Sequence, residues 1–266
     1  MSAAPIFSFA NAASRAVSLT ADSEAGGMPA AYLQDARRSA LYRSGAVSTV
    51  NLAVTLQSGE SVDVLGLVDH ILPVDGTIRV QSWSDAIGGS VQVLDQTFSA
   101  WPTGVVPSPP WRSGFLGLLS APLSSLYWQV TLSGTGLAYQ QASILWLGER
   151  WQPAQRQQRG WPLSRRPITT WRHTPGGQRY GRGRLGPLEC AIQYDWLTPE
   201  ERHELFLRYT QVEDRTPFLF CANPDGGRGQ LESLIYGTFD GQASGRFSER
   251  TFLATSAPAR IVEALT

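Results

Sequence analysis

Val50-Asn-Leu-Ala-Val-Thr-Leu56, Val62-Asp-Val-Leu-Gly-Leu-Val68 and Thr77-Ile-Arg-Val-Gln-Ser-Trp83 follow one another early in the chain. The first lies in a run, Val47 to Leu56, where apolar and polar residues alternate with the period of a half-buried strand. The turn Gln57-Ser-Gly-Glu60 leads to the second, a mostly apolar run holding a single carboxylate. The third alternates again, with Ile78, Val80 and Ser82 on one face and Arg79, Gln81 and Trp83 on the other. Three such strands joined by turns predict an antiparallel β-sandwich.

On the C-terminal side, Leu126 to Leu132, with the motif Tyr127-Trp-Gln-Val-Thr-Leu132, and Ser143 to Gly148 read as two more strands. Between them and the opening strands, residues 98–126 carry Trp101-Pro102, Pro107, Pro109-Pro110-Trp111 and Pro122. This proline- and aromatic-rich stretch predicts a long loop, and long ordered loops more often bind than merely connect. On the N-terminal side, Arg37, Arg38 and Arg43 read as a surface cluster. The first thirty residues, small and polar, read as an extended arm or an initial strand over Ile6 to Phe9.

Past residue 148 the tone changes. Between Glu149 and Arg184 lie nine arginines and no further acid, interleaved with Trp151, Trp161, Trp171 and Tyr180. Three readings are open: a contact with a neighbouring subunit, for which tryptophan and arginine are the typical anchors, a single-stranded nucleic-acid surface, or an intramolecular wrap. The subunit contact is preferred, with nucleic acid the weakest. From Gly186 a strand over Leu188 to Trp196 precedes a helix at 198–211, where Thr198 is the N-cap, Pro199 the first helical residue and Glu201 the partner in a capping box. Leu205, Phe206 and Tyr209 form its expected apolar stripe. Further strands are expected at Pro217 to Ala222, Leu231 to Phe239, Phe247 to Ala254 and Ala259 to Ala264, with turns at Asn223-Pro-Asp-Gly-Gly227 and Asp240-Gly-Gln242.

Composition narrows the function. The 266 residues, 42% hydrophobic, suffice for one large or two ordinary cores. All 22 basic residues are arginine, balanced by 22 acids to zero net charge. The balance is uneven, −3 over residues 1–148 and +3 over 149–266, which would steer copies toward one another rather than bind them. No apolar run approaches the roughly 20 residues of a membrane span. Met1-Ser-Ala-Ala-Pro5 lacks the basic and apolar regions of a secretory leader, so assembly in the cytoplasm is expected. Cys190 and Cys221 sit in apolar runs and read as buried free thiols, with a disulfide the alternative.

Reactive chemistry is scarce. His70, His173 and His203 are the only histidines, and no local motif joins them to the cysteines in a zinc site or to a nucleophile in a triad. No metal and no cofactor is implied. Asp63, Asp69, Asp75, Asp85 and Asp95 qualify by number alone as a glycosidase pair and read instead as strand-edge and turn residues. Asp225-Gly-Gly-Arg-Gly229 and Gly176-Gly-Gln-Arg-Tyr-Gly-Arg-Gly183 are glycine-rich but lack the Gly-Lys-Ser/Thr ending of a phosphate loop.

Leu41-Tyr-Arg-Ser-Gly45, the strands over Val50, Val62 and Ile78, Tyr127-Trp128 and Leu145-Trp-Leu-Gly148 resemble, in order and spacing, the discoidin-like, galactose-binding-like β-sandwich. The version they resemble is that of virion proteins of tailed bacteriophages. The second half, with its Glu189 to Tyr194 strand, Leu197-Thr-Pro-Glu-Glu201 and Thr216-Pro-Phe-Leu-Phe220, is similar to the part of such proteins that packs into a tail tip or baseplate. The resemblance implies a mostly β chain: an arm over 1–30, a galactose-binding-like jelly-roll sandwich over 31–148, an Arg/Trp-rich connector over 149–185, and a β-rich domain with one packed α-helix over 186–266. It further implies a non-enzymatic structural protein of the virion tail, docked in a symmetric ring of copies against tube, hub and fibre proteins. The alternative is a module contacting a glycan of the host envelope. The subunit-interface candidates are Arg150, Trp151, Trp161, Arg165, Arg166, Trp171 and Arg172. The glycan-contact candidates are Trp101, Trp111 and Arg112.

Overall fold

Alternation translates directly into layers in the computed structural model, which describes residues 4–102, 105, 114–154, 161–166, 168–184, 186–194, 197–212, 215–240, 246–247, 254–256 and 259–264. The chain divides into two units: unit 1 comprises Met1–Gln152 with Pro217–Tyr236, and unit 2 comprises Pro153–Thr216 with Gly237–Leu265. These boundaries differ from those the sequence suggests, because residues 217–236 return to the first unit.

Up to residue 148, unit 1 contains strands β1 (Ile6–Ser8), β2 (Ser18–Ala21), β3 (Tyr42–Arg43), β4 (Thr49–Thr55), β5 (Ser61–Val68), β6 (Thr77–Trp83), β7 (Gln92–Ser99), β8 (Gly114–Ser124), β9 (Tyr127–Ser133), β10 (Gln141–Ala142) and β11 (Ile144–Gly148). One sheet has the order β2-β4-β9-β6-β7 and a second the order β11-β5-β8. Both are antiparallel throughout. In the first, Val54 lies opposite Trp128, Leu52 opposite Val130, and Val50 opposite Leu132, while Val80 and Ile78 flank Val130 and Leu132 from the other side. These side chains share one buried cluster with Val62, Leu65 and Leu67 of β5, Phe115 and Leu119 of β8, and Leu145 and Leu147 of β11. The expected antiparallel sandwich is therefore present, its core lying between the two sheets.

β5 reads as a run rather than an alternation because it is buried from Val62 to Val68. A Cβ added at Gly66 would come 2.9 Å from both Leu219 and the Trp146 Cβ. Glycine is the residue that lets this strand pass so closely beneath the segment bearing Leu219.

That segment corrects the arm reading. β1 pairs with the strand Phe218–Cys221, Ile6 opposite Cys221 and Ser8 opposite Leu219. Phe7 packs against Phe220 with ring centroids 4.8 Å apart and against Trp151 at 5.4 Å. Phe7 and Trp151 also exchange backbone hydrogen bonds of 2.9 and 2.7 Å. The first described residues are thus core, and the pairing decides between the two alternatives in favour of a strand.

Two further corrections concern unit 1. Residues 98–126 are not one loop, since Gly114–Ser124 forms β8, the longest strand among the described residues, against β5. The arginine cluster dissolves as well: Arg38 has a side chain only 4% exposed and forms an ion pair with Asp69, while Arg43 lies over the Tyr139 ring at 4.2 Å. Asp69 holds a left-handed φ of 55°, which keeps its carboxylate on Arg38.

In unit 2 the helix runs Pro199–Val212, and its capping box forms as expected: Glu201 N–H donates to Thr198 Oγ1 at 3.2 Å, and Thr198 N–H donates to Glu201 Oε2 at 2.9 Å. Leu205 and Tyr209 are buried, Tyr209 stacking on Phe239 at 3.8 Å, but Phe206 is 58% exposed and leaves the expected stripe. Strands Leu163–Arg165, Leu188–Ile192, Ala259–Glu263 and the end of Leu234–Phe239 lie side by side. The 149–184 segment is not simply extended, because Ile168–His173 and Arg179–Arg184 form a hairpin. The expected strand over Leu231 to Phe239 starts only at Leu234. Gly227–Ser233 is helical instead, entered through left-handed Gly226 and Gly227. Of the expected 247–254 strand, residues 248–253 lie outside the described residues. No described helix is long and apolar enough to cross a membrane.

Candidate functional site

The seven interface candidates fall in both units. Arg150 and Trp151 belong to unit 1: the Arg150 amide donates to buried Asp63 at 2.6 Å, its Nε pairs with the same carboxylate at 3.2 Å, and Trp151 is buried against Phe7 and Phe9. Both side chains thus make contacts within unit 1, as the intramolecular wrap expects. In unit 2, Arg165 approaches Glu263 at 3.5 Å, Arg166 pairs with Glu189 at 3.0 Å, and Trp161 is half-buried. Trp171 and Arg172 lie on the hairpin strand Ile168–His173; Arg172 is exposed, and the Trp171 side chain lies outside the described residues.

The five acids considered for hydrolysis go separate ways. Asp63 meets Arg150, Asp69 meets Arg38, Asp75 accepts from Thr135 Oγ1, Asp85 accepts from Ser90 and Asp95 pairs with Arg79. Both cysteines are buried thiols outside any disulfide, and no cluster of three or more metal-ligating side chains occurs among the described residues. Burial pushes the Cys221 thiol up to about 12, which leaves it inert as a nucleophile.

What unit 1 does offer is a cleft of about 320 Å³. One wall is the end of β7 with the residues after it, Phe98 to Pro102. A second is the start of β8, Gly114 to Leu116, and the third is the turn and short helix bearing Asp225, Gly226, Gly227, Gln230 and Leu231, with Leu234 at the start of the following strand. Phe98 and Phe115 meet edge to face at 5.6 Å. Trp101 lines the cleft but is mostly buried, with its indole N–H donating to the Leu72 carbonyl at 2.8 Å. It therefore presents a fixed wall rather than a free stacking platform. Trp111 and Arg112, its companions in the sequence reading, lie outside the described residues.

Polar groups enter from the third wall. Gln230 Nε2 donates to the Leu116 carbonyl at 3.1 Å, which ties the helix to the edge of β8 and fixes the amide. Asp225 sits on an exposed turn whose two glycines have φ of 87° and 65°, a conformation only glycine adopts readily. Phe98, Phe115, Asp225 and Gln230 were not singled out by sequence reasoning as binding residues. They come from three separated segments, and the one local signal, the glycine-rich Asp225 turn, is shared with ordinary loops.

No family model matches the sequence, and no curated protein matches it. Among solved structures, the chain is similar to the family 32 carbohydrate-binding module of Clostridium perfringens NanJ solved with galactose, at 14% identity over 54% of this chain and 99% of that one, with a TM-score of 0.40. It is also similar to chitosan-binding module 1 from a Paenibacillus chitosanase/glucanase, at 15% identity over 53% of this chain and 99% of that one, with a TM-score of 0.41.

Proposed function

We propose that this chain is a non-enzymatic recognition protein that binds a carbohydrate through the cleft of unit 1. The observation that carries the reading is the composition of the walls. Phe98 and Leu234, backed by the buried Phe115, suit the C–H faces of a sugar, while Ser99 and Gln230 supply hydrogen-bonding groups for its hydroxyls. The volume falls at the low end of the roughly 300–1,000 Å³ usual for ligand pockets, which favours a short ligand. Phe98→Ala and Gln230→Ala are each expected to weaken glycan binding about tenfold, the equivalent of losing one anchor of roughly 1.4 kcal/mol. A glycan array followed by calorimetry on the intact chain checks this. Unchanged affinity in both variants, or no glycan bound at all, overturns the reading.

A second reading, a docked component of a bacteriophage tail tip or baseplate made in the host cytoplasm, rests on unit 2. There Phe206 and Leu207 are 58% and 46% exposed on one helix, and Ile168 is 42% exposed on the hairpin. The neighbouring Phe206 and Leu207 give this helix an apolar surface that suits cover by another chain. The double substitution Phe206→Asp with Leu207→Asp is expected to leave the monomer folded and to remove the protein from purified particles. Normal incorporation of the variant would count against docking through this helix.

A further inference from the structure

The hairpin of unit 2 stands alone. Its strands, Ile168–His173 and Arg179–Arg184, pair from Ile168 opposite Arg184 to His173 opposite Arg179, and among the described residues they join no other strand. The turn between them is well fixed: Thr174 N–H donates to the Gln178 carbonyl at 2.9 Å, and Gly177 N–H donates to the Thr174 carbonyl at 2.9 Å from a left-handed φ of 79°. A two-stranded ribbon is marginally stable in water by itself and gains from a surface to lie on. Its composition says which kind of surface. From 168 to 184 the sequence holds Arg172, Arg179, Arg182 and Arg184 and no acid, and Arg172 is exposed.

The complement is found in unit 1. Of the nine acids in residues 1–148, five form ion pairs with arginines. The other four are met by uncharged donors: Asp22 by Asn51, Glu24 by the Ala30 amide, Asp75 by Thr135 and Asp85 by Ser90. Asp22, bonded to Asn51 near the start of β4, and Asp75, two residues before β6, lie at one end of the five-stranded sheet, since Thr49 and Thr77 both stand opposite Ser133. Asp22, Glu24 and Asp75 are all exposed.

We infer that the ribbon of one copy lies against this acidic end of unit 1 in a second copy, so that copies associate head to tail. The two surfaces differ, so the contact is heterologous and its repetition gives a ring or an open file. Ribbons of like charge repel, which disfavours a two-fold contact through them. Exposed ion pairs are individually weak, so the contact shows at high protein concentration and low salt. It requires neither the carbohydrate nor the virion reading.

The test is sedimentation of the intact chain over a range of concentrations in low salt, with circular dichroism to verify folding. Wild type is expected to associate and to return to monomer at about 1 M salt, where screening falls to about 3 Å. Arg172→Glu and Asp75→Arg should each weaken association about tenfold, and the two together in one chain should recover most of it, because the charges are exchanged rather than lost. Asp75→Asn, which keeps an acceptor for Thr135, should weaken association by less and replaces the arginine form should that one unfold. A wild type that stays monomeric throughout, association unchanged by Arg172→Glu, or no recovery in the double variant overturns the inference. So does a wild type that holds a single-stranded oligonucleotide through Arg172 without self-association, which would assign the ribbon to nucleic acid.

Discussion

Trp128→Ala is expected to destabilise unit 1 by about 3–5 kcal/mol, the range for deleting a large aromatic side chain from a packed core. Trp128 sits on β9, the middle strand of the five-stranded sheet, fully buried, with Val54 on one side and Ser82 on the other. Its ring fills the space between the sheets, and its indole N–H donates to the Ser125 carbonyl at 3.0 Å. Truncation therefore leaves both a cavity and a carbonyl without its donor, two costs that add. Trp128→Phe keeps most of the volume and should lose clearly less. Urea unfolding followed on probes in unit 1 measures both, since a chain of two units need not unfold in one step. A loss below about 1 kcal/mol for the alanine variant would mean that β9 is not the centre of the sandwich.

The ease of reading Trp128 from the sequence contrasts with what lay hidden. β4 and β9 show their buried faces as alternation, as β6 does up to Val80, because one side meets the core and the other is at least partly open. The capping box of Thr198 and Glu201 is equally local and was legible for the same reason: all its atoms come from four consecutive residues. β8 escaped because Gly114-Phe-Leu-Gly-Leu-Leu-Ser-Ala-Pro-Leu-Ser124 does not alternate and follows a proline-rich stretch. β1 gave no sign of its partner, which lies at the far end of the sequence, and no pattern marks Arg38 as buried, since its burial depends on Asp69. The cleft was illegible on the same principle. Its aromatic residues belong to one half of the sequence and its polar wall to the other, and only the return of residues 217–236 to unit 1 brings them together.

His70 predicts a loss of stability in mild acid. The side chain is 1% exposed, neither ring nitrogen meets a hydrogen-bond partner among the described residues, and the Trp101 ring stands edge-on to it at 5.0 Å. Burial lowers its pKa to about 4 from 6.5, and the nearby Asp69 carboxylate opposes this without reversing it. Because the folded pKa is the lower one, the unfolded chain binds a proton that the fold refuses between those two values. Stability contributed by neutral His70 is complete above about pH 6.5 and is lost as pH falls toward 4, by about 3 kcal/mol in all. Carboxylates paired with arginines weaken the fold in the same direction, so wild type alone cannot isolate the effect. His70→Leu retains an apolar side chain of similar bulk beside Trp101 and has nothing to protonate. Its stability should fall less steeply than that of wild type between neutral pH and pH 4, with the gap between the two widening by about 3 kcal/mol across the window. Parallel curves would show that the imidazole accepts its proton inside the fold as readily as outside, which requires a partner for it in the wall behind the cleft.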